Sequence, residues 1–320
     1  MDKPVLVNIG CGRVWHPYWI NLDHQPTSPE VRPFDIRKPL PFESGTVDAV
    51  YASHVLEHLD REEGTRLMQE CRRVLKPGGI VRIVVPDLED LCQFYLQRLN
   101  AVCERPTAQN ETSYDWAYLQ LIDQHVRRRT GGELVEYLDR PGLIANDDIR
   151  DRLSNNVRIL LEERARRDWI APSAHLHEAQ EHRPAAQKRF EAIRGIRGRI
   201  RSLMVAAARR VLPASWIDTL ETAAFLRLGE LHRVGYDRFS LPRLLEQAGF
   251  DKVAVLSAND SAIPGFTTSG LDTVDGRARK PGSLFVEARR PLRTAITMPA
   301  PVFEADEVAA RRAERQRRSA

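Results

Sequence analysis

Cysteine is scarce in this chain of 320 residues: there are four, at positions 11, 71, 92 and 103. None forms a C-x-x-C pair and none stands at zinc-ligand spacing. That excludes a disulfide scaffold and a zinc ribbon, and it suits a reducing compartment. Apolar runs are short too, and none approaches the roughly 18–20 residues of a membrane span. No signal peptide is expected, because after Met1-Asp2-Lys3-Pro4 the chain runs straight into a strand-like stretch; the expected location is therefore the cytoplasm. There are no internal repeats. What is present is an apolar content of 42% with 29% charged residues, the balance of a globular protein large enough for one big domain or two modest ones. The net charge of +4 is unevenly spread: between Arg183 and Arg210 nine Lys/Arg face one acid, Glu191, so the rest of the chain is mildly acidic.

The chain is organised around Val5-Leu6-Val7-Asn8-Ile9-Gly10-Cys11-Gly12. An apolar run of this length is consistent with a buried strand of a parallel sheet. Two glycines one residue apart then let the backbone turn sharply and lie against a ligand. Ligands of open α/β sheets bind at the carboxyl ends of such strands. A third glycine is missing at Val14, so the dinucleotide fingerprint is not met. Further strands are expected at Trp19–Asp23, Phe34-Asp35-Ile36, Val47 to His54, and Ile80 to Val85. Between the last two, Asp60 and Glu63 form a capping box for a helix ending at Pro77-Gly78-Gly79, with Leu67, Cys71, Val74 and Leu75 on its buried face.

This ordered series resembles the class I S-adenosylmethionine-dependent methyltransferases. The segments NIGCG, WINLD, FDI, LPFESGTVDAVYASHVLEHL and RVLKPGGIVRIVVPDL look most like the bacterial branch linked to cell-surface polysaccharide synthesis. The resemblance covers about residues 4–90 and resumes near 231–288 with HRVGYDRFSLPRLLEQAGF and KPGSLFVEA. It implies an α/β, Rossmann-like sheet of seven strands in the order 3-2-1-4-5-7-6, the seventh antiparallel, with a large α-helical insertion. Two departures from the wider family stand out. Asn8 replaces the usual acid, and only ten residues separate Gly12 from Asp23, too few for a full helix, so His16-Pro17-Tyr18 should form a loop.

The resemblance implies S-adenosylmethionine as cofactor, held by Asn8, Gly10, Cys11, Gly12, Asp23, Asp35, Ile36 and Ser53. Asp23 would take the ribose hydroxyls, while Asp35 and Ile36 would bracket the adenine. Methyl transfer is an in-line displacement, so alignment and a proton acceptor are the protein's main contributions. The candidate catalytic residues are His54 at the end of the fourth strand, His232 where the chain returns to the sheet, and Asp87 at the end of the fifth strand. His58 and its neighbour Glu57 lie one turn beyond His54, and His58 reads first as a packing or capping residue. No metal is expected, since Asp87, Glu89 and Asp90 match no ion-loop signature.

The expected organisation is a methyltransferase domain at 1–100 and 229–290, a helical insertion or lid at 101–228, and a charged, flexible tail at 291–320. Helices are expected over 88–104, 115–129, 147–167, 185–211 and 215–228, with a Gly131-Gly132 break. Beyond the lid, Ser240 should cap a helix to Ala248, Lys252–Ser257 and Ser283–Ala288 should be the last two strands, and the polar loop 259–281 should face the pocket. Within 188–211 one apolar face is flanked by Arg194, Arg197, Arg201 and Arg209. That pattern fits either a packed lid helix, the favoured reading, or peripheral contact with an anionic membrane. No nucleic acid partner is expected, because an Asn/Asp-Pro-Pro-aromatic sequence is absent after the fourth strand and aromatics are sparse in the basic segment. The leading function is O-methylation of a sugar hydroxyl in a polysaccharide or glycolipid. A small aromatic or natural-product acceptor and a catalytically silent scaffold are the alternatives, and oligomeric state is not legible.

Overall fold

A computed structural model of the chain describes residues 3–140, 143–155, 157–159, 161–162, 216, 222–223, 225–226 and 229–292. The expected helices over 185–211 and 215–228, the basic segment 188–211 and the tail therefore lie outside the described residues, isolated positions apart. Nine strands are described: β1 (Leu6–Ile9), β2 (Ile20–Asp23), β3 (Val31–Pro33), β4 (Val47–Ser53), β5 (Leu75–Pro86), β6 (Asp251–Leu256), β7 (Thr273–Val274), β8 (Arg277–Ala278) and β9 (Ser283–Arg289). Seven make one sheet in the order β3-β2-β1-β4-β5-β9-β6, and β7 and β8 form a separate hairpin. The pairs β1–β2, β1–β4, β2–β3 and β4–β5 are parallel, whereas β9 runs antiparallel to both β5 and β6. With β9 as the seventh sheet strand, this is the order expected. It reverses direction between β1 and β4, which opens the crevice at their carboxyl ends.

Three local expectations are corrected. The third strand is Val31–Pro33, and Phe34-Asp35-Ile36 lies just past it. β3 is an edge strand, where a proline costs no ladder bond. The helix after the capping box, α1 (Arg61–Val74), stops before the Pro-Gly-Gly, and Leu75 already pairs with Val47. The residue before Pro77 is disfavoured in the helical region. The capping box itself is formed, and Leu67, Met68, Cys71 and Val74 are buried under the sheet. The expected helix 147–167 is broken: α5 covers only Asp147–Arg150, and non-helical residues 151–154 follow.

α2 (Leu88–Glu104) matches its expected span, and α3 (Ala108–Val126) starts earlier than expected because Thr107 caps it. Phe94, Trp116, Tyr137, Leu143 and Ile149 build a core of their own with these helices and α4 (Gly132–Leu138). Gly132 has φ 57°, and a Cβ there would lie 2.4 Å from the Asp123 carboxylate, which accepts the Glu133 amide. α6 (Ser240–Gln247) buries Leu241 and Leu245 in the main core. Its N-cap position is Phe239 rather than Ser240, and Asp237 before it accepts from the amides of both. Among the described residues no helix is long and apolar enough to cross a membrane.

One face of the sheet is covered by α1 and α6, the other largely by the loop 257–282, whose Ile263, Phe266 and Leu271 pack on Trp19, Tyr51 and Phe285. Under that loop lies Arg82 of β5, fully buried, paired with Asp272 at 2.7 Å and Glu287 at 2.9 Å. Its guanidinium also donates to the carbonyls of Asp260 and Ser257, and the Tyr51 hydroxyl donates to Asp272. Removing one partner of a buried pair leaves an uncompensated charge. Arg82→Leu is therefore expected to destabilise the protein by about 3–5 kcal/mol, a fall in Tm of roughly 10 °C; thermal denaturation checks it.

Candidate active site

β1 delivers Gly10 into the crevice with φ 64°, and a Cβ there would sit 2.3 Å from the Val55 side chain. Both the conformation and the space require glycine. The amide of Gly12 donates to Asp23 Oδ2 at 2.8 Å, so the end of β2 braces the turn after β1. Asp23 Oδ1 accepts from the Gln25 amide, which fixes the carboxylate at the rim.

The expected loop between Gly12 and Trp19 is present, and a pair of amides holds it. Asn8 Nδ2 donates to the carbonyl of Val14 and to Asn21 Oδ1, while Asn21 Nδ2 donates to the carbonyls of His16 and Trp19. Asn8 and Asn21 are both buried. The residue that replaces the usual acid thus anchors the short connection, and its carboxamide oxygen is the group suited to receive a ligand ammonium. Asn21 escaped the sequence reading.

Two cavities meet at Gly10 and His54. One, of about 200 Å³, is lined by Asp23, Asp35, Ile36, Arg37, Val55 and His58 among others. The second, of about 340 Å³, is lined by Asn8, Cys11, Gly12, Ser53, Arg279 and Lys280 among others. Together they fall within the roughly 300–1,000 Å³ of ligand pockets. All eight residues expected to bind the cofactor line one or both. Asp35 is gripped by the Arg37 guanidinium at 2.9 and 3.0 Å, which holds its carboxyl below the usual range and keeps it ionised. The Cys11 thiol is pushed up to about 12 by burial and by Asp23, so it stays a neutral wall of the site.

The three expected catalytic residues are divided. His54 follows directly on β4 with φ 55°, a left-handed conformation that costs a non-glycine residue about 1–2 kcal/mol and concentrates at functional sites. Its Nε2 is 2.9 Å from Ser283 Oγ and its Nδ1 3.3 Å from Glu57 Oε1. Burial, and then the Lys280 ammonium, keep its pKa well below the ordinary value, so the imidazole is neutral. His232 is buried against the His58 ring, centroids 4.8 Å apart, and burial takes its pKa down to about 3. Asp87 goes elsewhere: it caps α2 by accepting the Glu89 amide, and it lines neither cavity.

Lys280 and Ser283 were missed, because their place beside His54 depends on a loop more than two hundred residues downstream. Burial lowers the Lys280 pKa to about 8. Glu57, noted only as a neighbour of His58, is 1% exposed, and neither of its carboxylate oxygens has a hydrogen-bond partner.

The sheet order, the glycine turn, Asp23 at the end of β2 and Asp35 just past β3 define a Rossmann-like α/β sheet with a crevice at the carboxyl ends of its strands. Residues 8–83 match the family model described as a methyltransferase domain. No curated protein matches the chain. Similar solved structures include an S-adenosylmethionine-dependent methyltransferase from Mesorhizobium loti, 20% identical over 28% of this chain and 49% of that one, TM-score 0.24. Another is a SAM-dependent methyltransferase from Archaeoglobus fulgidus, 22% identical over 32% of this chain and 60% of that one, TM-score 0.25. The CurJ carbon methyltransferase is 12% identical over 91% of this chain and 50% of that one, TM-score 0.34. The chain thus spans about half the length of these structures.

The two glycines of the turn separate experimentally. A Cβ at Gly12 meets nothing within 4 Å, whereas one at Gly10 collides with Val55. Gly12→Ala should cost only the positive-φ strain of about 1–2 kcal/mol. Gly10→Ala should lower Tm clearly further, as calorimetry would measure.

Proposed function

We propose that this protein transfers a methyl group from S-adenosylmethionine to an oxygen of a hydroxylated acceptor, a sugar of a polysaccharide or glycolipid. The carrying observation is the pair of cavities that share Gly10 and His54, with Asp23, Asp35 and Ile36 around one and Asn8 at the other. When bound there, S-adenosylmethionine supplies an electrophilic methyl group on a sulfonium. The crevice has the complementary chemistry: a backbone turn without Cβ, a carboxamide oxygen for the ammonium, a carboxylate for the ribose hydroxyls, and an ionised Asp35 for the exocyclic amine.

His54 is the proton acceptor in this reading. It is neutral, it lines both cavities, and its Nε2 lies beside Ser283 Oγ. A sugar hydroxyl must shed its proton as the new bond forms, and a positioned neutral imidazole takes it. Ser53, His54, Arg279 and Lys280 give the larger cavity hydrogen-bonding groups for a polyhydroxylated acceptor, beside Tyr51, Val84, Leu271 and Phe285. The sugar assignment rests also on the resemblance of the motifs to the polysaccharide-linked branch.

Asp23→Ala is expected to weaken S-adenosylhomocysteine binding about 10-fold or more, by loss of the charged acceptor for the ribose. Isothermal calorimetry tests it, and unchanged affinity would remove the site. His54→Ala should leave that affinity nearly intact while turnover falls about 100-fold or more. Near-normal turnover would take His54 out of the role.

A further inference from the structure

We propose that Glu57, His58 and His232 form a binding site for a divalent transition-metal ion. One ligand atom from each residue, a carboxylate oxygen and two imidazole nitrogens, lies within 4.8 Å of the others. Two histidines and one carboxylate suit zinc, cobalt or iron(II) better than magnesium, which prefers oxygen ligands throughout.

The carboxylate is the first support. Glu57 is almost fully buried and both its oxygens lack a hydrogen-bond partner. A buried carboxylate without partners is costly, and a cation is the partner this arrangement lacks. The nitrogens around it are His54 Nδ1 at 3.3 Å, which makes no hydrogen bond to it, and His58 Nε2 at 3.9 Å, while the Lys280 ammonium acts on Glu57 only through space.

Tautomer is the second support. His58 Nδ1 lies 3.3 Å from the carbonyl of Leu231, which can only accept, so Nδ1 carries the proton. That leaves the lone pair on Nε2, which faces Glu57 Oε1 at 3.9 Å. An imidazole lone pair turned to a carboxylate oxygen repels it unless a cation lies between them. Metal-bound histidines commonly donate their other ring hydrogen to a backbone carbonyl in this way.

The surroundings hold the third ligand rigidly. The His232 amide donates to the carbonyl of Gln124 at 2.9 Å, and its carbonyl contacts His125 Nδ1 at 2.9 Å, so the end of α3 fixes it from both sides. The amides of Arg233 and Val234 both donate to the Glu57 carbonyl and tie the two segments together. Three protein ligands leave a coordination position open, and His58 lines the cavity shared with His54 and Asp23. His58 thus joins the cluster to the crevice, while Glu57 and His232 lie buried behind it. The sequence could not reveal it, because His232 comes from the far side of the insertion.

The test is binding, separate from any methyl transfer. Full-length protein stripped with a chelator is titrated with Zn²⁺ by calorimetry, and with Co²⁺ while its visible absorption is recorded. One Zn²⁺ per chain at micromolar affinity or better, with a Co²⁺ spectrum of nitrogen and oxygen ligation, is expected. Glu57→Gln and His232→Gln should each weaken Zn²⁺ binding at least 10-fold, following the usual effect of losing a ligand or its support. His16→Ala, a histidine that lines neither cavity, should leave it unchanged. Circular dichroism establishes that each variant is folded, and Zn²⁺ protection against thermal unfolding of the wild type gives a second readout independent of the variants. Absence of Zn²⁺ and Co²⁺ binding by the wild type, or equal binding by the folded Glu57→Gln and His232→Gln proteins, overturns the proposal.

Discussion

Arg82 and its two acids are the interaction on which the far wall of the crevice depends. Taking a guanidinium out of water costs several kcal/mol, and only close opposite charges with further hydrogen bonds offset it. Asp272 and Glu287 supply those charges, and the carbonyls of Ser257 and Asp260 take two more donors. The loop from 257 to 282 has little regular structure beyond a short hairpin, yet it is pinned to the sheet by Arg82, by the Tyr51 hydroxyl on Asp272 and by Glu287, which accepts from Ser261 and the Ala262 amide. Tyr51 and Phe266 close over it, and Lys280 and Ser283 come to rest beside His54. Where a helix would ordinarily cover the face of the sheet, a charged rivet and four aromatic rings do so.

The opposite wall is set by the helical insertion. α3 presents the carbonyl of Gln124 and the ring of His125 to the returning chain, and Arg127 donates to the carbonyl of Glu230. These contacts place His232 against His58 and Glu57. The insertion's described part is thus an anchor for the crevice as well as a small helical core of its own.

Much of this was legible in the sequence for a physical reason. Buried parallel strands read as short apolar runs, so β1, β2, β4 and the end of β5 stand out, and the crevice-facing ends of β1, β2 and β4 are marked by Gly10, Gly12, Asp23 and His54. The capping box of Asp60 and Glu63 is local chemistry and is formed as read. What escaped was chiefly what depends on distant pairing. The Arg82 cluster joins residues about two hundred positions apart, and nothing beside Arg82 in its strand marks those partners. The edge strand β3 lies three residues before the expected one, ending at Pro33, a residue that is harmless at an edge. Asp87 looked catalytic because it ends a strand, but a residue that ends a strand and starts a helix is also a natural cap.

The position of β9 has a consequence for biosynthesis. It lies between β5 and β6, so the sheet stays open along β5 until residues 283–289 arrive. Arg82 meets Asp272 and Glu287 only at that late moment. A nascent chain leaving the ribosome therefore carries an unmatched arginine in a half-formed core until Asp272 and Glu287 have been translated. Such long-range closure is slow, and the exposed strand edge is the feature a chaperone would guard.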